Sequence, residues 1–390
     1  MKKHREMKTR KNIEQVTFRV PLPSTFSSST SSLTSSKSQF STNKLVHTNA
    51  RSNKEFTSTN TKRTNYSKSP LKSTNADCNC KSEKTGKLYN FCYVDPQNKT
   101  SIGKKFDCAS LKILEKLELV DNPGPFVNLA NFKNDTSEMI FVTATSEDHI
   151  NQAIGFLESF YKFNPTGKCI LYGLALVPHR IKMVKSKFKH LEVRVFNSTG
   201  YPKYVNHWTE YRFKSLIIAE ALKEYSNIWW MDANARVEKG NMSELLHEEI
   251  GGVVEKNGAD KVSPIYSLVY TGHSNFPVMF PELLTYFPSN SIPLLKSEKH
   301  GSQLGANVFF ISKTPYTIEL FKWMVLCSLD KVCMSPPGAQ VFCKFGKNRN
   351  DEFAHCFRFD QSVLNLLLLN DFQDHNKYFS KLGYLISRTP

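Results

Sequence analysis

Two side chains that can donate oxygen ligands, Asp232 and Asn234, follow directly on the apolar run Ile228-Trp229-Trp230-Met231. Residues two apart in an extended segment project to the same side. A pair of oxygens so placed suits a hard divalent cation, Mn2+ or Mg2+, bridging a diphosphate, and such an ion acts on a departing diphosphate as a Lewis acid. Arg212 and Lys214, which open the preceding helical stretch, and Arg236 just beyond could share that charge by direct pairing. Thr143, Thr145 and Ser146 end an earlier apolar run and supply hydroxyls to the same edge.

The elements needed to position these groups are visible in the pattern. E-M-I-F-V-T-A-T, K-C-I-L-Y-G-L-A-L, L-E-V-R-V-F and N-I-W-W-M-D read as strands. Between them lie the helical stretches D-H-I-N-Q-A-I-G-F-L-E-S-F-Y-K-F, P-H-R-I-K-M-V-K-S-K-F-K-H and Y-R-F-K-S-L-I-I-A-E-A-L-K-E-Y. Thr145 or Ser146 is expected to cap the first helix, whose buried face is Ile150, Ile154, Leu157 and Tyr161. This β-α-β-α-β-α-β order predicts an α/β fold with a mostly parallel sheet flanked by helices. In such sheets ligands bind at the carboxyl ends of the strands. Beyond Asp232 the pattern loosens to mixed strands and short helices, ending in the helices T-P-Y-T-I-E-L-F-K-W-M-V-L-C-S-L-D and R-F-D-Q-S-V-L-N-L-L-L-L-N.

Several chemistries are disfavoured. V-T-A-T-S-E-D-H lacks the glycines of a dinucleotide fingerprint, and the chain has neither a Walker loop nor a G-x-S-x-G elbow. The candidate residues also have plainer readings. Asp232 could close a turn, Asp360 could serve as the N-cap of its helix, and Trp229 and Trp230 precede the strand end and belong to the core. Trp208 and Tyr211, in the polar V-N-H-W-T-E-Y-R, are better placed to stack on a sugar or base. His273 and Asn307 are candidates for an acceptor groove.

The chain of 390 residues carries a net charge of +17. Residues 1–72 contribute fifteen Lys/Arg against three Glu, which is +12 and leaves +5 for the rest. With its Ser/Thr run, residues 1–75 read as a disordered basic tail, and no nucleic-acid partner is expected. Residues 76–130 read as a Cys-bearing stem, with Leu111 to Leu119 forming a short helix, and residues 131–390 as the main domain. The cysteines fall into two sets of four, Cys78, Cys80, Cys92, Cys108 and Cys327, Cys333, Cys343, Cys356, with Cys169 apart as a buried thiol. Neither set has the paired C-x-x-C of a zinc site, so disulfides in an oxidising compartment are expected. Five N-x-S/T sequons, at Asn65, Asn98, Asn134, Asn197 and Asn241, agree with a secretory location in the Golgi lumen or outside the cell. Against this, the charged start is not followed by the apolar stretch of a leader, and no run of about 20 apolar residues could span a bilayer. A membrane contact would therefore need an anchor not visible in the sequence.

The strand followed by D-x-N resembles the D-x-D segment of glycosyltransferases with the GT-A, nucleotide-diphospho-sugar transferase fold, and D-Q-S-V-L-N resembles a late helix of those enzymes. From Cys78 onward, G-K-K-F-D-C, V-T-A, W-W-M-D and D-Q-S-V-L-N together resemble an uncharacterised, largely invertebrate secretory family. The resemblance implies a nucleotide-sugar donor and a glycan or glycoprotein acceptor, with Thr143, Thr145, Ser146, Arg212, Lys214, Asp232, Asn234 and Arg236 binding the donor. It implies metal contacts from Asp232, Asn234 and a late His, here His375, which lacks the Gly and Lys that accompany it in relatives. The D-x-D pattern wants a carboxylate at 234, and an amide holds Mn2+ or Mg2+ more weakly. Asp232 and Asp360 are the catalytic candidates, with Glu352 as an alternative base. The rival expectation is a catalytically silent relative that serves as a secreted binding or scaffolding module.

Overall fold

The computed structural model describes residues 78–389 apart from Asn122, Thr136 and Asn290, so the expected tail and the Asn65 sequon lie outside the described residues. A short hairpin, β1 (Asn79–Lys81) and β2 (Leu88–Asn90), precedes the first helix, α1 (Leu111–Lys116). That helix is shorter than the apolar spacing predicts, because Glu118 turns into the left-handed region at φ +57°. The alternation of strand and helix then follows as β3 (Met139–Ser146), α2 (Ile150–Phe163), β4 (Cys169–Leu174), α3 (Pro178–Lys187), β5 (Leu191–Val195), α4 (Arg212–Glu224) and β6 (Asn227–Met231).

The later part is irregular, as the loosened pattern foretold. It comprises β7 (Ala235–Val237), α5 (Met242–Asn257), β8 (Ile265–Ser267), β9 (Tyr270–Ser274), α6 (Pro281–Tyr286), α7 (Ile292–Leu295), β10 (Ser302–Leu304) and β11 (Val308–Ser312). It closes with α8 (Pro315–Leu329), α9 (Lys331–Met334), α10 (Asp360–Phe372) and β12 (Ile386–Arg388).

The central sheet has the order β5-β4-β3-β6-β11-β8. β5, β4, β3 and β6 are mutually parallel, whereas β11 runs antiparallel to both β6 and β8. The protein is thus α/β, with a mostly parallel sheet between helical layers. Burial on both faces explains why Ile228-Trp229-Trp230-Met231 is apolar throughout rather than alternating. Ile228 and Trp230 enter one core with α4, α8 and α10. Trp229 and Met231 enter the other with α2 and α5. On that second face Trp229 stacks on Phe141 of β3, with centroids 6.1 Å apart.

The cysteines pair within their two sets: Cys78–Cys92, Cys80–Cys108, Cys327–Cys333 and Cys343–Cys356. Cys169 is buried and free, and burial raises its thiol pKa. The first two bridges fold residues 78–108 against the main core, where Tyr93 and Phe106 meet Phe287 and Trp323. Among the described residues, no helix is long and apolar enough to cross a membrane.

Candidate functional site

β6 stops at Met231, and the next three residues turn instead of continuing the strand. The Ala235 N–H donates to the Asp232 carbonyl at 2.9 Å, and the Asp232 N–H donates to the Asn307 carbonyl at 2.7 Å. Asp232 and Asn234 are therefore not in an extended segment, although both still border the same two cavities. One is a cleft of about 380 Å³ at the ends of β3 and β6, lined by Thr145, Ser146, Asp148, Trp208, Tyr211 and Trp230. The other is a polar recess of about 120 Å³ lined by Lys214, Asn307, Arg358, Asp360, Gln361 and Arg388. They meet at Tyr211, Asp232 and Asn234.

Two neighbours fix the Asp232 carboxylate. Its Oδ1 accepts from the Trp230 indole N–H at 2.8 Å and pairs with Lys214 Nζ at 3.1 Å. The other oxygen makes no hydrogen bond to the described residues, and the side chain is 27% exposed, so one face remains open to a ligand. Lys214 also reaches Asp360 Oδ2 at 2.8 Å and donates to the Ala306 carbonyl at 2.8 Å. Three oxygens thus lie within 3.1 Å of this ammonium, which has three protons to offer, and the one to the Ala306 carbonyl makes a well-directed hydrogen bond. Burial by itself would lower the Lys214 pKa, but the two carboxylates outweigh it and hold the pKa above the ordinary value.

The late helix is tied in through amides. The Gln361 side chain accepts from the Ala306 N–H and donates to Gln303, while Asn365 accepts from the Leu304 N–H and donates back to the Leu304 carbonyl. The D-Q-x-x-L-N spacing thus places two backbone-holding amides, four residues apart, on one helix face, directly after an ion-pairing Asp. Phe359, before Asp360, adopts φ +46°; strained backbone of this kind tends to gather at functional sites. Asp360 is the first residue of α10 and not its cap.

Other expected site residues are placed elsewhere. Arg212 is fully buried, and its guanidinium donates to the carbonyls of Ser328, Asp330 and Lys331. It pins the α8–α9 corner and has no access to either cavity. Arg236 turns back on the carbonyls of Ala233 and Ala235 and lies against Gly155 of α2, where an added Cβ would come within 2.4 Å of it. Thr143 is buried in β3 just short of the cleft, whose lining begins at Ala144, so of the three hydroxyl residues only Thr145 and Ser146 line it. No side chain caps α2, because a short 3-10 turn intervenes and the Ser146 hydroxyl donates to Asp148. His375 is buried beside Tyr270, away from Asp232, and Glu352 is exposed and lines neither cavity. His273 is likewise buried outside both cavities, with its pKa pushed down to about 4 by burial.

The donor set does not fit a tightly held divalent metal. Mg2+ or Mn2+ takes six ligands in a near-octahedral shell, anchored by one or two free carboxylates and completed by water or phosphate oxygens. Here Lys214 already stands between the two carboxylates, Asn234 is neutral, and no cluster of three or more His, Cys, Asp or Glu exists among the described residues. A dipositive ion ~4 Å from that ammonium would be repelled by roughly 8 kcal/mol at an effective dielectric of about 20.

Two lining cations escaped the sequence reading. Arg358 directly precedes the strained Phe359 and retains only a 3.3 Å hydrogen bond to the Val341 carbonyl. Arg388 arrives because β12 pairs antiparallel with β7, opposite Ala235. Arg358 could have been found from its place beside D-Q-S-V-L-N. Arg388 carried no local signal.

The profile of a family described as "Protein of unknown function (DUF1647)" matches residues 78–219, a stretch that includes Lys214 and stops before Asp232. No curated protein matches the chain. Solved structures similar to it include the galactosyltransferase LgtC with donor and acceptor sugar analogues, at TM-score 0.32 and 11% identity, covering 59% of this chain and 70% of that one. Another is the bifunctional glycosyltransferase WbbM, at 0.35 and 10%, covering 60% of this chain and 38% of that one. A third is core-mannan synthase A from Aspergillus fumigatus in a Mn/GDP form, at 0.35 and 9%, covering 65% and 77%. Likenesses this distant carry no argument about this chain.

Proposed function

We propose that the protein transfers a sugar from a nucleotide-diphosphate donor to a hydroxyl of a glycan or glycoprotein. The observation that carries this reading is the joining of the two cavities at Asp232. An aromatic cleft of nucleoside size, with the Asp148 carboxylate at its rim, opens there into a recess that holds Arg358 and Arg388. The base and ribose would occupy the cleft beside Trp208 and Tyr211, and the diphosphate would point into the recess. Asp232, with one oxygen held and one open, accepts hydrogen bonds from hydroxyls of the ribose or the transferred sugar. In the reaction the bond from the anomeric carbon to the diphosphate oxygen breaks, and its electron pair leaves with the nucleoside diphosphate. The acceptor oxygen forms the new bond, and its proton passes to the departing diphosphate oxygen, which grows basic as the bond to it breaks. Arginines that stabilise the departing charge contribute mainly electrostatics and positioning.

A second reading, a binding module that retains the fold without turnover, draws on Lys214. The ion pair that holds Asp360 leaves this carboxylate, 5% exposed, poorly placed as a base. A panel of nucleotide sugars tested on the full chain, read by thermal shift and by release of nucleoside diphosphate, separates the two. Binding with release supports transfer; binding without release for any acceptor supports the module. Asp232→Ala should abolish the shift of the best donor, and a shift that survives this change places the donor elsewhere. Four disulfides, together with exposed sequon residues Asn134, Asn197 and Asn241, support residence in an oxidising secretory compartment.

A further inference from the structure

Three features of the recess combine. First, the Lys214 ammonium lies between Asp232 and Asp360, with both carboxylates and the Ala306 carbonyl within 3.1 Å of it. It thus has the position a bridging ion would take, and its charge is already matched by the two carboxylates. Second, two other cations border the same space with little to hold them. Arg388 has no ion-pair partner among the described residues, and Arg358 has a single long hydrogen bond. Third, Asn307 lines the recess at 6% exposure with neither its amide oxygen nor its amide nitrogen hydrogen-bonded, and Asn234 Oδ1 is likewise buried without a partner. Buried polar groups left open in this way call for an occupant that can satisfy them.

We propose that the recess binds the diphosphate of a nucleotide without a divalent cation, Lys214 being the resident cation of the carboxylate pair while Arg358 and Arg388 meet the phosphate oxygens. This inference rests on the transferase reading for the identity of its ligand. The charges agree: three lining cations against two carboxylates leave one net positive charge facing the anion. Guanidinium groups suit the task because their planar donors match paired phosphate oxygens. The ammonium stays charged across the neutral range, since the carboxylates hold its pKa up, so the arrangement does not depend on pH near 7.

The test is calorimetric titration of the full chain with UDP and GDP, in EDTA and again in excess Mn2+. At least one nucleotide should bind in EDTA, with a dissociation constant that Mn2+ changes by less than about threefold. Binding that needs Mn2+, or tightens with it beyond that, overturns the metal-free site and leaves the transferase reading standing. No binding in either condition removes both. In EDTA, Arg358→Gln and Arg388→Gln should each weaken the bound nucleotide by about tenfold or more, and unchanged affinity in both would overturn their assignment. Lys214→Ala leaves two carboxylates without their cation, so Mn2+ alone should raise its melting temperature while leaving the wild type unmoved. A wild type equally stabilised by Mn2+ would contradict the proposal, and the wild-type titrations decide the matter even if this variant does not fold.

Discussion

Lys214 lies in the first turn of α4, where the helix dipole disfavours a cation. Its neighbour Arg212 shares that turn, yet the two side chains do unrelated work, one holding carboxylates at the cavity and the other holding carbonyls of the α8–α9 corner. Residue type and spacing could not separate them, because both are buried cations at a helix start. A different residue offers a direct check of the electrostatics. Asp371, at the end of α10, is pushed up to about 6, chiefly by burial, against a hydrogen bond from Tyr316 that favours its charged form. A carboxyl whose folded pKa is raised adds stability at pH below the unfolded value near 3.8, and loses it as pH rises through 6. Asp371→Asn should therefore stabilise the protein at pH 7.5 by up to ~3 kcal/mol. The gap from wild type should close near pH 4 in denaturant titrations at both pH values. A gap independent of pH would mean the carboxyl is not held neutral by the fold.

At the scale of elements, α10 shows how one helix serves structure and site together. Its Gln361 and Asn365 complete the backbone hydrogen bonding of the segment from Gln303 to Ala306, and the Ala306 carbonyl in turn receives Lys214. Asn365 is 2% exposed, so Asn365→Ala leaves a buried N–H and carbonyl of Leu304 unmet. The expected loss is about 3 kcal/mol of stability, measured by denaturant midpoint. Nucleotide affinity should fall with it, because the segment that carries the Ala306 carbonyl to Lys214 loses one of its two amide ties to α10. β12 acts in the same manner from the far end of the sequence. Pairing with β7 lays Arg388 over the turn that carries Asp232, and Thr389 donates to the Asn234 carbonyl at 3.0 Å. The strand motif and the D-Q-S-V-L-N helix were legible because each has a local pattern. β12, three residues long and half exposed, had none.

Over the whole molecule, the Cys-bearing stretch is part of the same hydrophobic core as the sheet and helices behind it. Gly103 marks its closest approach, where an added Cβ would lie 1.9 Å from the Tyr286 carbonyl oxygen. Backbone cannot yield there as a side-chain tip would. Gly103→Ala should cost upwards of about 4 kcal/mol, and hydrogen exchange should show residues 78–108 opening first. The bridges act on the same stretch. Cys80–Cys108 closes a separation of 28 residues, and removing it with Cys80→Ser and Cys108→Ser should cost about 3.5 kcal/mol. If both changes were silent, the stretch would be an appendage and not part of the core.

The sequence by itself determined the strand and helix order from Met139 to Met231, the burial of the tandem tryptophans, the pairing habit of the cysteines and the exit of Asp232 at a sheet edge. Those follow from local periodicity and from what a doubly covered sheet must bury. Only the tertiary structure decided which cations reach the recess, that Lys214 lies between two carboxylates 128 residues apart in the chain, and that Arg212, Arg236 and His375 are turned elsewhere. The direction a long charged side chain takes is set by the oxygens that surround it after folding, and those come from segments whose meeting no local pattern records.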